Sequence, residues 1–308
     1  MNYFITIIST LILLVSSSFI HASSINLTIE QKVAQLFLVQ LTDPLINPSN
    51  SRLLSKYPIG GFVIIGNQFN NAKDLLLCTQ TLQTFALKSH FSSYWIAIDQ
   101  EGDSVSRIKQ NITLFPPAMA LGTIQSPILT QSVGSAVGSE LKLLGVNLFL
   151  GPVLDINTNP QNPVIGVRSF GNHVDIVTKL SQSYRKGIEA NNLLAVLKHF
   201  PGHGDTAIDS HLELPSINQT ADHINLFTTI PFQHHINHQA KAIMTGHLLV
   251  PSIDPNYPAS LSKVITTDWL KKRYQFRGLV ITDDLNMSAI KKTFFLTSSL
   301  YKGFFSRS

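Results

Sequence analysis

The chain has 308 residues, of which 44% are hydrophobic and 13% are charged, so it can bury a large core and is not intrinsically disordered. Its formal net charge of +5 comes from scattered lysines and arginines rather than from a basic patch interleaved with aromatic residues, which argues against nucleic-acid binding. The only cysteine, Cys78, cannot form an internal disulfide and is expected to be a buried core thiol.

The chain opens with an almost wholly apolar stretch, residues 1–20. This stretch predicts a secretory signal peptide, residues 1–22, with cleavage after Ala22. It is also long enough to remain as a membrane anchor, so two alternatives stay open. The protein is expected to be exported, either periplasmic or secreted, or to be held at the membrane by residues 1–20. Contact with a membrane is expected only if the segment is not cleaved.

Short apolar runs alternate with longer helical stretches along the rest of the chain. Thr28 and Gln31 form a capping box at the start of a predicted helix, 27–41, and further helices are predicted at 128–144 and 176–191. The apolar runs are bounded by Gly, Pro or polar clusters and are apolar on both faces, as buried parallel strands of βα units are. The six strand candidates are 61–65, 94–98, 146–150, 194–198, 242–245 and 278–282.

Polar residues concentrate directly after these strands. In a (β/α)₈ barrel the carboxyl ends of the strands carry the active site. Helix capping could explain Asp155 or Asp284, but it does not explain the pair Lys198-His199 at a strand end. The pattern therefore predicts an α/β protein with a TIM-type (β/α)₈ barrel, formed by one domain at 25–308.

The predicted barrel lacks part of its expected length. A barrel of about 250 residues needs roughly 30 residues for each βα unit, yet Asp283 lies close to the last residue, Ser308. Residues 291–308 do not resemble a further barrel strand. We therefore expect a barrel that is incomplete at its C-terminus, with exposed strand edges that make the chain unstable or dependent on a partner.

The densest group of candidate catalytic residues lies between residues 198 and 211. The segment Lys-His-Phe-Pro-Gly-His-Gly-Asp-Thr, 198–206, is followed by Asp209, Ser210 and His211. Asp209 and His211 are two residues apart, which on an extended loop puts both side chains on one side. A carboxylate bonded to one imidazole nitrogen leaves the other nitrogen free for proton transfer. The spacing therefore indicates a general acid/base pair.

These segments resemble the sequence blocks of glycoside hydrolase family 3, specifically of its bacterial exo-β-N-acetylglucosaminidases. The segment 198–206 with Asp209-Ser210-His211 is similar to the signature of these enzymes, and the similarity covers about residues 30 to 290. One position departs from the pattern: Asp103 stands where the family usually has a second glycine, a position that often needs a positive φ. The other similar blocks follow in order: Asp99-Gln100-Glu101-Gly102 with Arg107, Gly151-Pro152-Val153-Leu154-Asp155, Arg168-Ser169-Phe170-Gly171, Met244-Thr245-Gly246-His247 and Ile281-Thr282-Asp283-Asp284-Leu285-Asn286-Met287.

The resemblance implies a retaining hydrolase that releases terminal β-linked N-acetylglucosamine from peptidoglycan fragments (muropeptides) or chitin oligomers. It assigns Asp283 as the nucleophile and the Asp209–His211 pair as the acid/base. No cofactor is expected. The positions that hold the terminal sugar in the family match Asp99, Arg107, Arg168, Lys198 and His199.

Several alternatives remain open. Arg168 could instead form a buried structural ion pair, while His203 and His247 are expected to brace loops rather than contact substrate. No metal site is expected, because a proline and a glycine lie between His199 and His203 and no carboxylate lies near His234, His235 and His238 in the sequence.

The acceptor and the activity itself also remain open. Phosphate could replace water as the acceptor, because a neutral imidazole repels anions less than a carboxylate does. The rival function is a catalytically inactive remnant that at most binds sugar.

Overall fold

The computed structural model describes residues 27–41, 48–65, 69, 71–89, 91–103 and 105–295. The strands in these residues are β1 (Leu38–Gln40), β2 (Gly61–Ile64), β3 (Trp95–Ile98), β4 (Gln100–Gly102), β5 (Val105–Ser106), β6 (Leu148–Phe149), β7 (Leu194–Phe200), β8 (Ala242–Thr245) and β9 (Leu279–Thr282). The α-helices are α1 (Ile29–Ala34), α2 (Pro48–Lys56), α3 (Ala72–Lys88), α4 (Ala118–Ile124), α5 (Pro127–Leu143), α6 (Val174–Glu189), α7 (Ala221–His223), α8 (Ile230–Asn237) and α9 (Ser288–Ile290). A 3₁₀ turn at Gly166–Arg168 and π-helical segments at Ile224–Thr228, Val264–Arg273 and Lys291–Phe295 complete the elements described.

Seven of the described strands form one sheet in the order β1-β2-β3-β6-β7-β8-β9, and every neighbouring pair is parallel. The order in the sheet follows the order in the chain. A singly wound sheet of this kind is the arrangement of a (β/α)₈ barrel, whereas a doubly wound sheet reverses its order at a switch point. Strands β4 and β5 form a separate antiparallel pair directly after β3.

All six predicted strands are present, with ends that differ by up to two residues from the predicted ones. They are strands because their side chains are apolar on both faces, and in all but β9 most of these side chains become buried. Ile64, Ile96, Leu148 and Val196, from four of them, are completely buried. The predicted burial of Cys78 is also confirmed, since only 4% of it is exposed.

The predicted helix 27–41 is wrong in its second half. The Thr28–Gln31 capping box forms as expected, but α1 ends at Ala34 and the following residues become strand β1, which pairs with β2. The side-chain amide of Gln35 donates to the carbonyl of Pro58, which fixes the chain where it leaves the helix. Leu36, which falls between α1 and β1, is 81% exposed. Sheet pairing outweighs the local helical preference here.

Two sequence predictions fall partly or wholly outside the described residues. The predicted signal peptide or anchor, 1–22, lies outside them entirely. Of the segment 291–308, the residues up to 295 are described, and Lys291–Phe295 is helical rather than a strand. In the part of the chain that the structure describes, no helix combines the length and hydrophobicity that a membrane span requires.

Candidate active site

The polar residues of the sequence blocks lie together at the carboxyl ends of the parallel strands. Because neighbouring parallel strands point the same way, the residues that follow them meet even when they are far apart in the chain. The side chains at the carboxyl ends of the strands are Asp99, Glu101, Asp155, Lys198, His199, His247 and Asp283.

A buried network of charges joins four of the predicted sugar-binding residues. The ammonium nitrogen of Lys198 lies 2.6 Å from a carboxylate oxygen of Asp99 and 2.6 Å from one of Glu101. Arg107 reaches the other oxygen of Asp99 at 3.2 Å. The guanidinium of Arg168 binds Glu101 through two hydrogen bonds of 2.8 and 2.9 Å. The network thus places three cations around two carboxylates.

Mutual attraction keeps the buried members of this network charged. Burial opposes ionisation of Glu101, but Arg168 and Lys198 hold the pKa of its carboxyl well below the usual range. Burial likewise disfavours the charged form of Lys198, yet Asp99 and Glu101 raise the pKa of its ammonium group above the ordinary value. Side chains that stay ionised at fixed positions can donate to and accept from the hydroxyl groups of a sugar.

Arg168 forms the buried ion pair that the sequence left open as an alternative. Besides its two bonds to Glu101, it donates to the carbonyl of Val164 at 3.1 Å. Its Nη2 atom also lies 3.5 Å from Nε2 of His199. Arg168 therefore contacts a second predicted sugar-binding residue while it is held by Glu101.

Asp155 orients His199 instead of capping a helix. Its carboxylate is fully buried and lies 2.7 Å from Nδ1 of His199. It also accepts from the backbone N–H groups of His199 and His203, at 3.3 and 2.7 Å. Since a carboxylate oxygen only accepts, the proton sits on Nδ1 of His199, and Nε2 faces Arg168.

Asp283 directly follows β9, and its backbone N–H bonds to the carbonyl of Thr245 at 3.0 Å. Burial alone would raise the pKa of its carboxyl. His199, His247, the N–H of Asp284 and Lys198 together outweigh burial and keep the pKa below its ordinary value. A carboxylate must be ionised to act as a nucleophile, and Asp283 meets that requirement.

His247 braces the loop that carries Asp283. Its Nε2 donates to the carbonyl of Asp284 at 2.9 Å, so its Nδ1, 2.7 Å from Oγ of Ser260, accepts in the neutral ring. The N–H of Asp284 in turn donates to the carboxylate of Asp283 at 2.8 Å. Within these contacts His247 has the bracing role expected for it.

Asp209 and His211 are in contact, through a turn rather than an extended loop. One oxygen of Asp209 lies 2.8 Å from both the backbone N and Nδ1 of His211, and residues 210–212 form a turn. Burial opposes ionisation, but the bonds from His211 together outweigh it and hold the pKa of Asp209 below its ordinary value. The His211 side chain is 64% exposed, and its Nε2 faces away from the carboxylate. The pair can therefore exchange a proton with a bound molecule.

The sequence blocks included Glu101 without assigning it a role. The sequence feature that could have revealed a role for Glu101 is its spacing from Asp99, because alternate residues of an extended segment lie on the same side. Gln100 points the other way and bonds the backbone of Arg107 and Ile108. The expectation for Asp103 is met, since its φ is +48° beside Gly102 at +106°.

The histidine groups considered for a metal have other partners. Nε2 of His235 lies 2.8 Å from Oγ of Ser181, and the rings of His234 and His238 stack at 4.1 Å. Across the described ranges, no cluster of three His, Cys, Asp or Glu side chains has a geometry that could hold a metal ion.

Residues 28–300 match the profile described as "Glycosyl hydrolase family 3 N terminal domain". Beta-hexosaminidase A of Pseudoalteromonas piscicida is 38% identical over 264 residues, which are 80% of this chain and 44% of that protein. The Beta-hexosaminidase of Nitrosomonas eutropha is 34% identical over 244 residues, which are 77% of this chain and 68% of that protein. The chain thus spans less than half of the first relative and about two thirds of the second.

Solved structures show the same similarity. A glycoside hydrolase family 3 beta-N-acetylglucosaminidase from Paenibacillus sp. FPU-7 superposes with a TM-score of 0.84 at 35% identity, over 87% of this chain and 51% of that one. NagZ from Neisseria gonorrhoeae, in complex with N-trifluoroacetyl-D-glucosamine, gives a TM-score of 0.75 at 28% identity, over 83% of this chain and 76% of that one. Together with the strand order, these similarities confirm the predicted barrel fold.

Proposed function

Because the chain belongs to glycosyl hydrolase family 3, we propose that it is a retaining β-N-acetylhexosaminidase that releases terminal β-linked N-acetylglucosamine. The names of its relatives support this substrate class, as does the N-acetylated sugar analogue bound to the similar NagZ structure. The observation that carries the proposal is the position of the Asp283 carboxylate directly after β9, at the carboxyl ends of the strands where Lys198 and His199 also lie.

In the proposed first step, the carboxylate of Asp283 attacks the anomeric carbon of the sugar. The bond between that carbon and the glycosidic oxygen breaks, and the departing oxygen takes a proton from the imidazolium of His211. The products are a glycosyl-enzyme and the free leaving group. The carboxylate of Asp209 lies 2.8 Å from Nδ1 of His211 and holds that nitrogen, so Nε2 is the atom that delivers the proton.

In the second step, water attacks the anomeric carbon of the glycosyl-enzyme. Neutral His211 accepts a proton from this water, and the Asp283 carboxylate leaves with its bonding electrons. The sugar is released with its original anomeric configuration, and both residues return to their starting states. A histidine thus performs the role that a second carboxyl group performs in most retaining glycosidases.

The proposed substrate position is set by the buried charge network. Asp99 is positioned to accept hydrogen bonds from sugar hydroxyls, Lys198, Arg107 and Arg168 to donate them, and Nε2 of His199 to accept one. Natural substrates of this chemistry are muropeptides and chitin oligomers. The apolar stretch 1–20 supports export to the periplasm or the medium, where both kinds of glycan occur.

The proposal is tested with a chromogenic aryl N-acetyl-β-glucosaminide and the purified protein. We expect release of the aryl alcohol by the unchanged protein and none by Asp283→Ala. Comparing chitobiose with a muropeptide as substrates identifies the preferred glycan. Running the reaction in phosphate buffer separates the acceptors, since water gives the free sugar and phosphate gives the sugar 1-phosphate.

A sugar-binding protein without hydrolase activity is the second candidate function. It is favoured by the position of β9, which pairs with β8 and forms one edge of the sheet in the described residues. The nucleophile of an enzyme must be held within about half an ångström of its productive position by packed neighbours. Binding of N-acetylglucosamine in calorimetry, with no turnover of any aryl glycoside, would support this second function.

A further inference from the structure

Ser210, between the two members of the Asp209–His211 pair, points into the protein while its neighbours point outward. Ser210 is 2% exposed, whereas the side chains of Asp209 and His211 are 29% and 64% exposed. The hydroxyl oxygen of Ser210 lies 3.1 Å from Nε2 of His203. A buried side chain therefore contacts the middle of the segment that carries the pair.

His203 is held on every side by buried groups. Its backbone N–H donates to Asp155 at 2.7 Å, and its carbonyl accepts from the side-chain amide of Asn162 at 2.8 Å. Its Nδ1 lies 2.7 Å from Oγ1 of Thr206. Only Nε2 remains for Ser210, so both ring nitrogens have a partner.

The glycines on either side of His203 allow this close packing. Gly202 has a φ of +137°, which an L-residue rarely adopts. Gly204 lies so close to Ile156 that an added Cβ atom would be 1.8 Å from the carbonyl oxygen of that residue. The two glycines thus let His203 lie against the residues that follow β6.

The contact between His203 and Ser210 joins two neutral groups over the physiological pH range. Burial and the nearby His199 lower the pKa of His203 to about 4. A neutral imidazole has one donating and one accepting nitrogen, and a serine hydroxyl can pair with either. Near pH 7 the ring therefore stays unprotonated, and the contact with Ser210 is intact.

We infer that His203 and Ser210 are positioning residues that hold the Asp209–His211 pair in place for proton transfer, with the Ser210 hydroxyl as the link. This inference rests on the proposed function, because it gives the pair its acid/base role. The pair needs such a link because His211 is largely exposed and lies on a turn. A general acid must come within hydrogen-bonding reach of the atom that it protonates.

The first test measures mobility and needs no enzyme activity. We would compare NMR order parameters of the backbone amides 209–212 in the unchanged protein, Ser210→Ala and Ser216→Ala. Ser216 is the matched control, because it is an exposed serine on the same loop and bonds Asn218 instead. We expect values near 0.85 in the unchanged protein and the control, falling below about 0.6 in Ser210→Ala. Equal values in all three proteins would overturn the inference.

The second test asks whether Ser210 acts through His211. Ser210→Ala should lower kcat/KM about tenfold for glycosides with poor leaving groups, and much less for an aryl glycoside with a good one. In a His211→Ala background the same substitution should have no further effect on that difference. An equal loss for both leaving groups, or a full loss in the His211→Ala background, would overturn the inference.

The two tests keep the two proposals apart. If the unchanged protein hydrolyses nothing, the proposed function fails, and the order parameters still decide whether Ser210 holds the pair. If the protein is active and Ser210→Ala changes neither mobility nor leaving-group dependence, only the positioning role fails.

Discussion

The ammonium nitrogen of Lys198 lies 2.6 Å from a carboxylate oxygen of Glu101, with both side chains more than nine-tenths buried. Glu101 also pairs with Arg168, so one carboxylate fixes two cations that are proposed to bind the sugar. The position of each cation therefore depends on Glu101.

Replacing Glu101 should destabilise the protein strongly. Glu101→Gln leaves Lys198 and Arg168 buried with less opposing charge, and breaking a buried pair costs about 3–5 kcal/mol. Urea unfolding measures the loss. Asp268→Asn is the matched control, because the Asp268–Lys272 pair is exposed and its loss should cost less than about 1 kcal/mol. Similar losses in the two variants would show that the buried network contributes little.

Asp283→Ala should abolish turnover and leave sugar binding largely intact. The substitution removes the atom that forms the covalent intermediate, and we expect kcat to fall by about 10⁴-fold or more. Steady-state kinetics and calorimetry with N-acetylglucosamine measure the two effects. Asp284→Asn is the control, since the Asp284 carboxylate accepts from the backbone N–H of Asn286 and is assigned no chemical step. Loss of activity in Asp284→Asn alone would reverse the assignment.

His211→Ala should slow natural disaccharides by about 10²–10⁴-fold and aryl glycosides with good leaving groups by less. A good leaving group departs with little protonation, so the acid matters less. Asp209→Asn should give a weaker form of the same defect, because it removes the negative charge that lies against Nδ1 of His211. Kinetics on a series of aryl glycosides measures the difference. If both substrate classes lose the same factor, His211 has a structural role.

Buried neutral histidines should make the protein less stable in mild acid. Burial and His199 lower the pKa of His203 to about 4, and burial and Arg185 lower the pKa of His235 well below the ordinary value. Below a pH of about 6.5 these two histidines bind more protons in the unfolded chain than in the folded one, so the free energy of unfolding decreases as the pH is lowered. His203 alone contributes up to about 3 kcal/mol of this loss by pH 4.

Urea unfolding between pH 7.5 and 5 measures this loss of stability. His235→Gln should give a shallower dependence on pH than the unchanged protein, since it removes one of the two groups. An unfolding free energy that stays constant over this range would contradict the prediction.

The edges of the parallel sheet should promote self-association. In the described residues β1 and β9 are the edge strands, and they carry Val39 and Leu279, which are 36% and 45% exposed. Val39→Lys and Leu279→Lys should weaken this association, so that sedimentation velocity shows only monomer up to a higher protein concentration than for the unchanged protein. Leu87→Lys is the control, because Leu87 is 76% exposed on α3, away from either edge. If all three substitutions had the same effect, the cause would be a general gain in solubility from the added charge, and the prediction about the strand edges would be wrong.

The sequence was informative where burial dictates residue type. Strands β2, β3 and β6 to β8 were predictable because a strand buried on both faces must be apolar throughout. Strand β9 was predictable from the same apolar pattern, although it lies at an edge of the sheet and is partly exposed. Strand β1 was not, since Leu36 and Phe37 continue the helical spacing and only pairing with β2 decides the outcome. Pairing partners are set by the whole sheet, and a local pattern does not contain them.

In the candidate site, contacts between residues close in sequence were predictable and contacts between distant residues were not. The Asp209–His211 contact depends on two residues close in sequence, so their spacing predicted it. The role of Glu101 depends on Lys198 and Arg168, which lie 97 and 67 residues further along the chain. The contact of Glu101 with these two residues is determined by the tertiary fold, which brings distant strands side by side. The outward direction of His211 and the inward direction of Ser210 likewise follow from a turn that the spacing alone did not show.

The buried carboxylate of Asp155 binds both His199, which is proposed to contact the sugar, and His203, which contacts Ser210. In the proposed mechanism, recognition of the substrate and delivery of the proton therefore share a single anchor. A change at residue 155 would alter affinity and turnover together. Adapting the enzyme to a different sugar by mutations near this anchor would also shift its preference among leaving groups, so the two properties are not free to evolve separately.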